Sequence, residues 1–123
     1  MRVATTLVTG PGARAREQAI LTVLQADANV NAAAPAIILE GLPSGVSPLD
    51  TLTPPPRLER IAPGCLCCTG NLVLRVTLNR MLRQRPERLF IGLARGEHLD
   101  QLRSWLQSGP YDQLLTLTPD LQA

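Results

Sequence analysis

Three cysteines packed into four positions are the side chains of this sequence best suited to chemistry. They lie in the string Pro-Gly-Cys-Leu-Cys-Cys-Thr-Gly over 63–70. Adjacent cysteines in a strand point to opposite faces, so a shared metal ion requires a turn, which the flanking proline and glycines favour. Thiolates are soft ligands that suit zinc, copper(I) or iron–sulfur clusters. The spacing therefore predicts a soft-metal site, with zinc as the first choice, whose ligands are Cys65, Cys67 and Cys68.

The sequence does not identify the fourth ligand of such a site. Three thiolates leave one tetrahedral position for water, substrate or a protein group. The single histidine, His98, and the carboxylates of Glu40 and Asp50 are candidates, and spacing selects none of them. Two other interpretations of the cysteines also stay open. Thiols of low pKa near a helix N-terminus suit redox sensing, and free cysteines are often buried simply as small hydrophobic residues.

A glycine-rich turn near the N-terminus is the second candidate site. A working phosphate-binding loop reads Gly-x-x-x-x-Gly-Lys-Ser/Thr, in which backbone N–H groups cradle phosphates, the lysine neutralises them and the hydroxyl binds Mg²⁺. Aligned from Gly10, this chain has Ala15, Arg16 and Glu17 at the last three positions. An arginine is bulkier than lysine and differently hydrated, and a carboxylate repels phosphate. We therefore predict a degenerate nucleotide-binding loop, whose residues are Gly10, Gly12, Ala13, Arg14, Ala15, Arg16 and Glu17.

The elements that must position these motifs follow from apolar patterning. Runs rich in apolar residues predict strands at 2–9, 36–39, 58–62, 89–93 and 114–118. Helical periodicity predicts helices at 14–26, 71–83 and 97–108, and 41–56 is expected to be a proline-rich loop without helix. Strands that alternate with helices indicate an α/β fold, with a mainly parallel sheet of about five strands covered by helices on both faces.

Two of the predicted helices have distinct faces. In the first helix the core face is expected to hold Ala19, Ile20, Val23 and Leu24, and Glu17 is expected to lie off that face. In the second helix the core stripe is Leu74, Leu78, Met81 and Leu82. The basic residues of that helix and its end are Arg75, Arg80, Arg83 and Arg85.

Composition excludes several classes of protein. The chain has 123 residues, 45% of them apolar and 18% charged, which is an ordinary balance for one globular domain. No run of eighteen apolar residues predicts a membrane span, and the first apolar run is too short for a signal peptide, so we expect a cytoplasmic protein. The net charge of +2 is too small to imply nucleic acid. Cysteines of a cytoplasmic chain indicate metal or thiol chemistry rather than disulfides.

In their order along the chain, these motifs resemble the nucleotide-binding domain of CobW-type GTPases, metallochaperone-like P-loop proteins related to the hydrogenase and urease accessory GTPases. The Gly-Cys-x-Cys-Cys-Thr string at 64–69 is the specific part of the match. The resemblance implies a three-layer P-loop-NTPase-like fold, with residues 1–123 as a single domain, and a role in metal supply or zinc homeostasis. It also implies that Cys65, Cys67 and Cys68 bind the metal, and it places Glu40 in the family's switch-like Glu-x-Gly region.

The chain departs from that family at its nucleotide chemistry. The loop has no lysine, and no lysine occurs anywhere in the sequence. Gly92 follows Ile91 where the family's later strand ends in a glutamate that helps to hold Mg²⁺ or water. The 123 residues contain no guanine-reading Asn-Lys-x-Asp motif, and we expect the protein to lack the family's C-terminal domain. From the Met1 start and the all-arginine composition we expect a naturally short relative rather than a fragment.

Three functions are compatible with these features. The first is a CobW-like metal-binding protein, with zinc as the expected ion, that does not hydrolyse GTP and has no catalytic residues. The second is a divergent GTP-binding metallochaperone GTPase that uses Arg16 in place of lysine. The third is an interaction module that pairs with a full-length relative or an apoprotein recipient through the arginine-rich helix at 71–83. None of the three calls for a nucleic-acid or membrane partner.

Overall fold

The computed structural model describes residues 3–10, 12–26, 35–41, 47–51, 56–61, 72–93 and 99–123. The strands are β1 (Val3–Thr9), β2 (Ala36–Glu40), β3 (Arg57–Ile61), β4 (Arg88–Gly92), β5 (Leu115–Leu117) and β6 (Leu121–Gln122). The helices are α1 (Ala13–Ala26), α2 (Leu72–Arg83), α3 (Leu99–Leu106) and α4 (Tyr111–Leu114). A 3₁₀ turn spans Pro48–Thr51.

The strands form one parallel sheet in the order β3-β2-β4-β1-β5, and β6 pairs with the carboxyl end of β1. Every pairing between described strands is parallel. The predicted α/β class with a mainly parallel sheet is therefore confirmed. Because β4 lies between β1 and β2, the chain must pass over β4 through α1 before it enters β2.

Side chains along the strands alternate between two hydrophobic clusters on opposite faces of the sheet. In β2, Ala36 and Ile38 belong to one cluster, whereas Ile37 and Leu39 belong to the other. This alternation follows from the two-residue repeat of a strand. Since all five residues of β2 are buried, apolar side chains are needed on both faces, which explains the continuous apolar run in the sequence.

The helices cover both clusters. The buried apolar residues of α1 are Ile20 and Leu21, which pack with Phe90 of β4 on one face. On the opposite face, α2 contributes Leu74, Leu78 and Met81, as the periodicity predicted, and Leu82 packs against the same cluster from a partly buried position. The amphipathic pattern of α2 therefore identifies its core face correctly.

The structure differs from the sequence prediction at two places. The loop expected over 41–56 contains the 3₁₀ turn Pro48–Thr51, whose Leu49 is buried against α1 and β2. The last strand, expected at 114–118, is preceded by the one-turn helix α4, and β6 follows it as a sixth strand. Tyr111 explains the added helix α4. Its ring is buried, and the ring centroid lies 4.8 Å from that of Trp105. The backbone of Pro110, just before α4, is already in the right-handed helical region.

No helix in the described part of the chain is long and apolar enough to cross a membrane.

Candidate functional site

The candidate site lies at the carboxyl edge of the sheet, where β1, β2 and β3 end. In open parallel sheets this edge is where ligands bind, at the crevice beside strands whose connections run in opposite directions. The connection from β1 leads towards β2 and β3, whereas β4 connects back past β1 to β5. The first turn of α1 and the ends of β2 and β3 therefore converge at this edge.

The glycine-rich loop runs from Gly10 into the first turn of α1. The Gly12 carbonyl accepts a hydrogen bond from the Arg16 backbone N–H at 3.1 Å, which begins the helix. A Cβ on Gly10 would lie 2.5 Å from the Cβ of Ala123, whose backbone N–H donates to the Thr9 carbonyl at 2.8 Å. Glycine is thus required at position 10 by the close approach of the last residues of the chain. Of the other predicted loop residues, Ala13 and Ala15 are partly buried and Arg14 is exposed.

Arg16, which the alignment from Gly10 predicts at the lysine position of a phosphate-binding loop, turns back onto its own loop. Its side chain is 6% exposed, and Nη1 donates to the Gly10 carbonyl at 2.8 Å. Burial lowers the pKa of Arg16 below its ordinary value, and the nearby carboxylates of Glu40 and Glu17 oppose that effect. Since an arginine stays protonated in proteins, this position still carries a positive charge, and that charge is directed at internal acceptors.

Glu17, at the position of the P-loop Ser/Thr, is buried and paired. Arg60 Nη2 of β3 donates to Glu17 Oε1 at 3.0 Å, and the Ser47 hydroxyl donates to the same oxygen. The Ser47 oxygen also accepts the Leu49 backbone N–H at 3.1 Å. The prediction that Glu17 lies off the buried face of α1 is wrong, because only 2% of this residue is exposed. Its carboxylate is stabilised there by partners that lie on other elements.

These groups form what we call the buried charge cluster: Arg16, Glu17, Glu40, Ser47 and Arg60. It contains two guanidinium groups and two carboxylates, so its charges balance. Among the described residues, no buried side-chain nitrogen or oxygen lacks a hydrogen-bond partner. A cluster of this kind holds the surrounding segments in place, since each buried charge needs its partner. It offers no surplus of positive charge for a phosphate group.

The sequence indicated only part of this cluster. It singled out Arg16, Glu17 and Glu40, but it did not single out Ser47 or Arg60. Arg60 carried one usable signal: in the strand predicted at 58–62 it shares a face with the apolar Leu58, which places a charge on a face that also carries an apolar residue. Ser47 carried none, because it lies in a proline- and glycine-rich segment without periodicity.

The predicted metal ligands Cys65, Cys67 and Cys68 lie outside the described residues, and so does His98. The segment that contains the cysteines begins after Ile61, which pairs with Glu40 at the carboxyl edge, and ends before Leu72 of α2. Of the other candidate ligands, Glu40 is buried beside Arg16, whereas Asp50 is exposed in the 3₁₀ turn. The described part of the chain contains no group of three or more histidine, cysteine, aspartate or glutamate residues arranged for a metal.

Gly92, at the end of β4, is the residue that the resemblance aligns with a Mg²⁺-associated glutamate. It is buried, and a Cβ there would lie 2.8 Å from Leu39 Cδ2 of the neighbouring strand. A side chain at this position needs space that Leu39 already fills. The glycine is therefore explained by packing between β4 and β2.

No protein-family model matches this chain, and no curated protein and no solved structure matches it. The resemblance to CobW-type GTPases thus rests on the cysteine string at 64–69 and on the order of strands and helices, and it stays a prediction.

Proposed function

We propose that this chain is a metal-handling protein that binds a soft transition metal, zinc before others, through Cys65, Cys67 and Cys68, and that it works without hydrolysing GTP. One observation carries the proposal. The two loop positions on which nucleotide chemistry depends, Arg16 and Glu17, are both engaged in internal contacts, whereas the sequence places three cysteines after β3, within seven residues of Ile61.

The donor set suits this role. Three thiolates within four residues provide most of a tetrahedral zinc site, and a fourth position left to solvent or a partner would let the ion be passed on. The metal is then cargo rather than a catalytic cofactor. A cytoplasmic location, where cysteines stay reduced, belongs to the same proposal. Asp50 is the more accessible of the two carboxylates considered as a fourth ligand, because Glu40 is buried beside Arg16.

The buried charge cluster supports the absence of GTP hydrolysis. To meet a β- or γ-phosphate, Arg16 would have to leave the Gly10 carbonyl. Glu17 would have to give up Arg60 and Ser47, or else present a carboxylate to the phosphate. Breaking a buried ion pair costs several kcal/mol, on the order of 3–5, which a weakly bound nucleotide does not supply. The alternative, a divergent GTPase that uses Arg16 as its lysine, requires these changes.

We propose that the fold is a single domain of three layers, similar to the P-loop domain of the CobW type. It is supported by the strand–loop–helix order of β1, Gly10 and α1, and by helices on both faces of a parallel sheet. Within such a fold the cysteine segment starts at the same sheet edge as the glycine loop. Metal binding would then take place beside the former nucleotide site.

Metal analysis of the freshly purified, untagged chain tests the first half of the proposal. We expect about one zinc ion per chain, together with cobalt(II) substitution that produces thiolate absorption. The Cys67→Ser variant should lose the ion, whereas the matched control Asp112→Asn, which changes an exposed carboxylate on α4 without loss of size, should keep it. A metal-free protein whose three thiols are all reduced and titratable would overturn this half.

A calorimetric titration of the same sample with GTP and Mg²⁺ tests the second half. We expect no binding heat and no phosphate release. Turnover at about one per minute or faster would show that GTP hydrolysis survives and would favour the divergent GTPase. Because the two measurements are separate, the metal site and the lost nucleotide chemistry can fail independently.

A further inference from the structure

The charges of this chain are unevenly distributed along it. Residues 57–88 contain seven arginines and only two acidic residues, whereas the rest of the chain contains five arginines and eight acidic residues. The small net charge of +2 therefore hides a strongly basic stretch. That stretch includes β3 and α2, which are in contact through Glu59 and Arg80, and the start of β4, which is separated from β3 by β2.

The outer face of α2 concentrates part of this charge beside two aliphatic side chains. The core side of α2 is formed by Leu74, Thr77, Leu78 and Met81. On the opposite side, Val73, Val76, Arg80 and Arg83 follow one another at intervals of three, four and three residues. Side chains with this spacing form one continuous stripe along a helix, and all four are exposed.

The edge strand β3 extends the same surface. Arg80 Nη2 lies 3.0 Å from Glu59 Oε1, so the Glu59 side chain is on the α2 face of β3. Arg57, two residues earlier in the strand, has the same orientation and is exposed. Within the described part of the chain, neither Arg57 nor Arg83 makes an ion pair. We call Val73, Val76, Arg80, Arg83 and Arg57 the basic α2 surface.

The two valines are the unusual members of this surface. Val73 and Val76 are each 56% exposed, and they are two of only three large hydrophobic residues that are exposed among those described. Valine is a weaker helix former than alanine, arginine or glutamine, so neither residue is explained by the stability of an exposed helix. Their spacing is that of the contact stripe by which one helix packs against another.

We infer that the basic α2 surface is a docking site for an acidic amphipathic helix of a partner protein. The aliphatic side chains of that helix would pack against Val73 and Val76, and its carboxylates would lie opposite Arg80, Arg83 and Arg57. In this mode of recognition an amphipathic helix binds through its apolar face. Arginine is well suited to it, because the guanidinium group binds a carboxylate through two parallel hydrogen bonds.

Other anionic partners fit this surface less well. Single-stranded nucleic acid is held by aromatic side chains on which bases stack, and none belongs to the basic α2 surface. Helices that lie on membranes present large side chains such as tryptophan, phenylalanine and leucine to the lipid. Over residues 73–83 of α2, the part whose side chains the structure describes, the exposed large hydrophobic residues are the two valines. Both partners serve as competing outcomes of the test.

Fluorescence anisotropy with one defined probe tests the inference. The probe is a labelled synthetic helix of about three heptads, with leucine at the contact positions and glutamate on its flanks. We expect saturable binding to the intact chain that weakens as salt rises, since the contact is partly electrostatic. Arg83→Glu and Val76→Ser should each weaken binding by about fivefold or more.

Two matched variants provide the controls. Arg14→Glu reverses an exposed arginine on α1, and Leu114→Ser removes an exposed aliphatic side chain on α4, so both should change the affinity by less than about twofold. Circular dichroism verifies the fold of each variant, and Val73→Ser replaces Val76→Ser if the latter unfolds.

Three results would overturn the inference: no saturable binding, equal weakening by the control variants, or tighter binding to oligothymidine or to phosphatidylserine vesicles than to the peptide. The measurement is made with and without EDTA. It therefore stands whether or not the chain binds zinc.

Discussion

Arg60 and Glu17 are separated by 43 residues in the sequence, yet Arg60 Nη2 lies 3.0 Å from Glu17 Oε1. The pair joins β3 to the first turns of α1 across the carboxyl edge of the sheet. Glu17 is 2% exposed and the Arg60 side chain 20% exposed, so this ion pair is largely buried rather than a surface pair. In the alignment from Gly10, Glu17 stands where a phosphate-binding loop has its hydroxyl residue.

Glu17→Ala should destabilise the protein by about 3 kcal/mol, because it leaves the Arg60 charge and the Ser47 hydroxyl without their partner in a largely buried position. Urea unfolding followed by circular dichroism measures this change. The matched control is Glu59→Ala, which breaks the exposed pair with Arg80 and should cost less than about 1 kcal/mol. Equal effects of the two substitutions would contradict the account of the buried charge cluster.

Arg16→Ala should reduce stability by about 1–3 kcal/mol, since the Gly10 carbonyl loses a charged donor and Glu40 loses a neighbouring cation. It should have no effect on GTP binding, which we expect to be absent already. Arg14→Ala, two positions earlier and exposed, should leave stability within about 0.5 kcal/mol. If the intact chain binds GTP and Arg16→Ala abolishes that binding, Arg16 acts as the lysine of a divergent GTPase.

Tyr111 should ionise above its ordinary pKa of 10.0, because burial disfavours the phenolate, an effect that the charge of Arg75 partly opposes. Its hydroxyl donates to Asn79 Oδ1 at 3.1 Å, a bond that requires the neutral form. Since this is the only tyrosine in the chain, its ultraviolet difference spectrum reports a single titration. The midpoint should fall towards 10.0 in concentrated urea.

The direction of the associated stability change is fixed by linkage. A pKa raised in the folded state means that the unfolded chain loses its proton first, so the stabilisation is complete below pH 10.0 and decreases as the pH rises through the folded pKa. Tyr111→Phe should remove this component of the pH dependence. A native midpoint at or below 10.0 would show that the Tyr111 hydroxyl is not buried as described.

Gly92→Ala should destabilise the fold by about 1–3 kcal/mol, because the added methyl group meets Leu39 Cδ2 inside the sheet. Leu39→Ala alone creates a cavity and should cost about 2–5 kcal/mol. In the double variant the small side chain at position 39 makes room for the methyl group. The double variant should therefore lose less stability than the sum of the losses of the two single variants, as a double-mutant cycle measures. Strict additivity would mean that the two side chains do not compete for the same space.

Much of the fold follows from the sequence alone. The five main strands lie within one residue of their expected bounds where the structure describes them, and α2 buries the stripe that its periodicity indicates. These features depend on repeats of two and of three to four residues, which neighbouring side chains establish locally. The elements α4 and β6 are four and two residues long, too short to show such a repeat. They are held by contacts with other elements, such as that of Tyr111 with Trp105 and the hydrogen bond from Ala123 to Thr9.

The sequence by itself also determined which groups are available for chemistry: the thiols at Cys65, Cys67 and Cys68, and a glycine loop with Arg16 and Glu17 in place of lysine and a hydroxyl residue. Only the tertiary structure decided what Arg16 and Glu17 do. Glu17 is paired with Arg60 of β3 and with Ser47, and Arg16 lies beside Glu40 of β2. These groups are distant in the chain and meet only after parallel pairing has brought the strand ends to one edge. Charge at a position is a local property, but compensation of a buried charge depends on the whole fold.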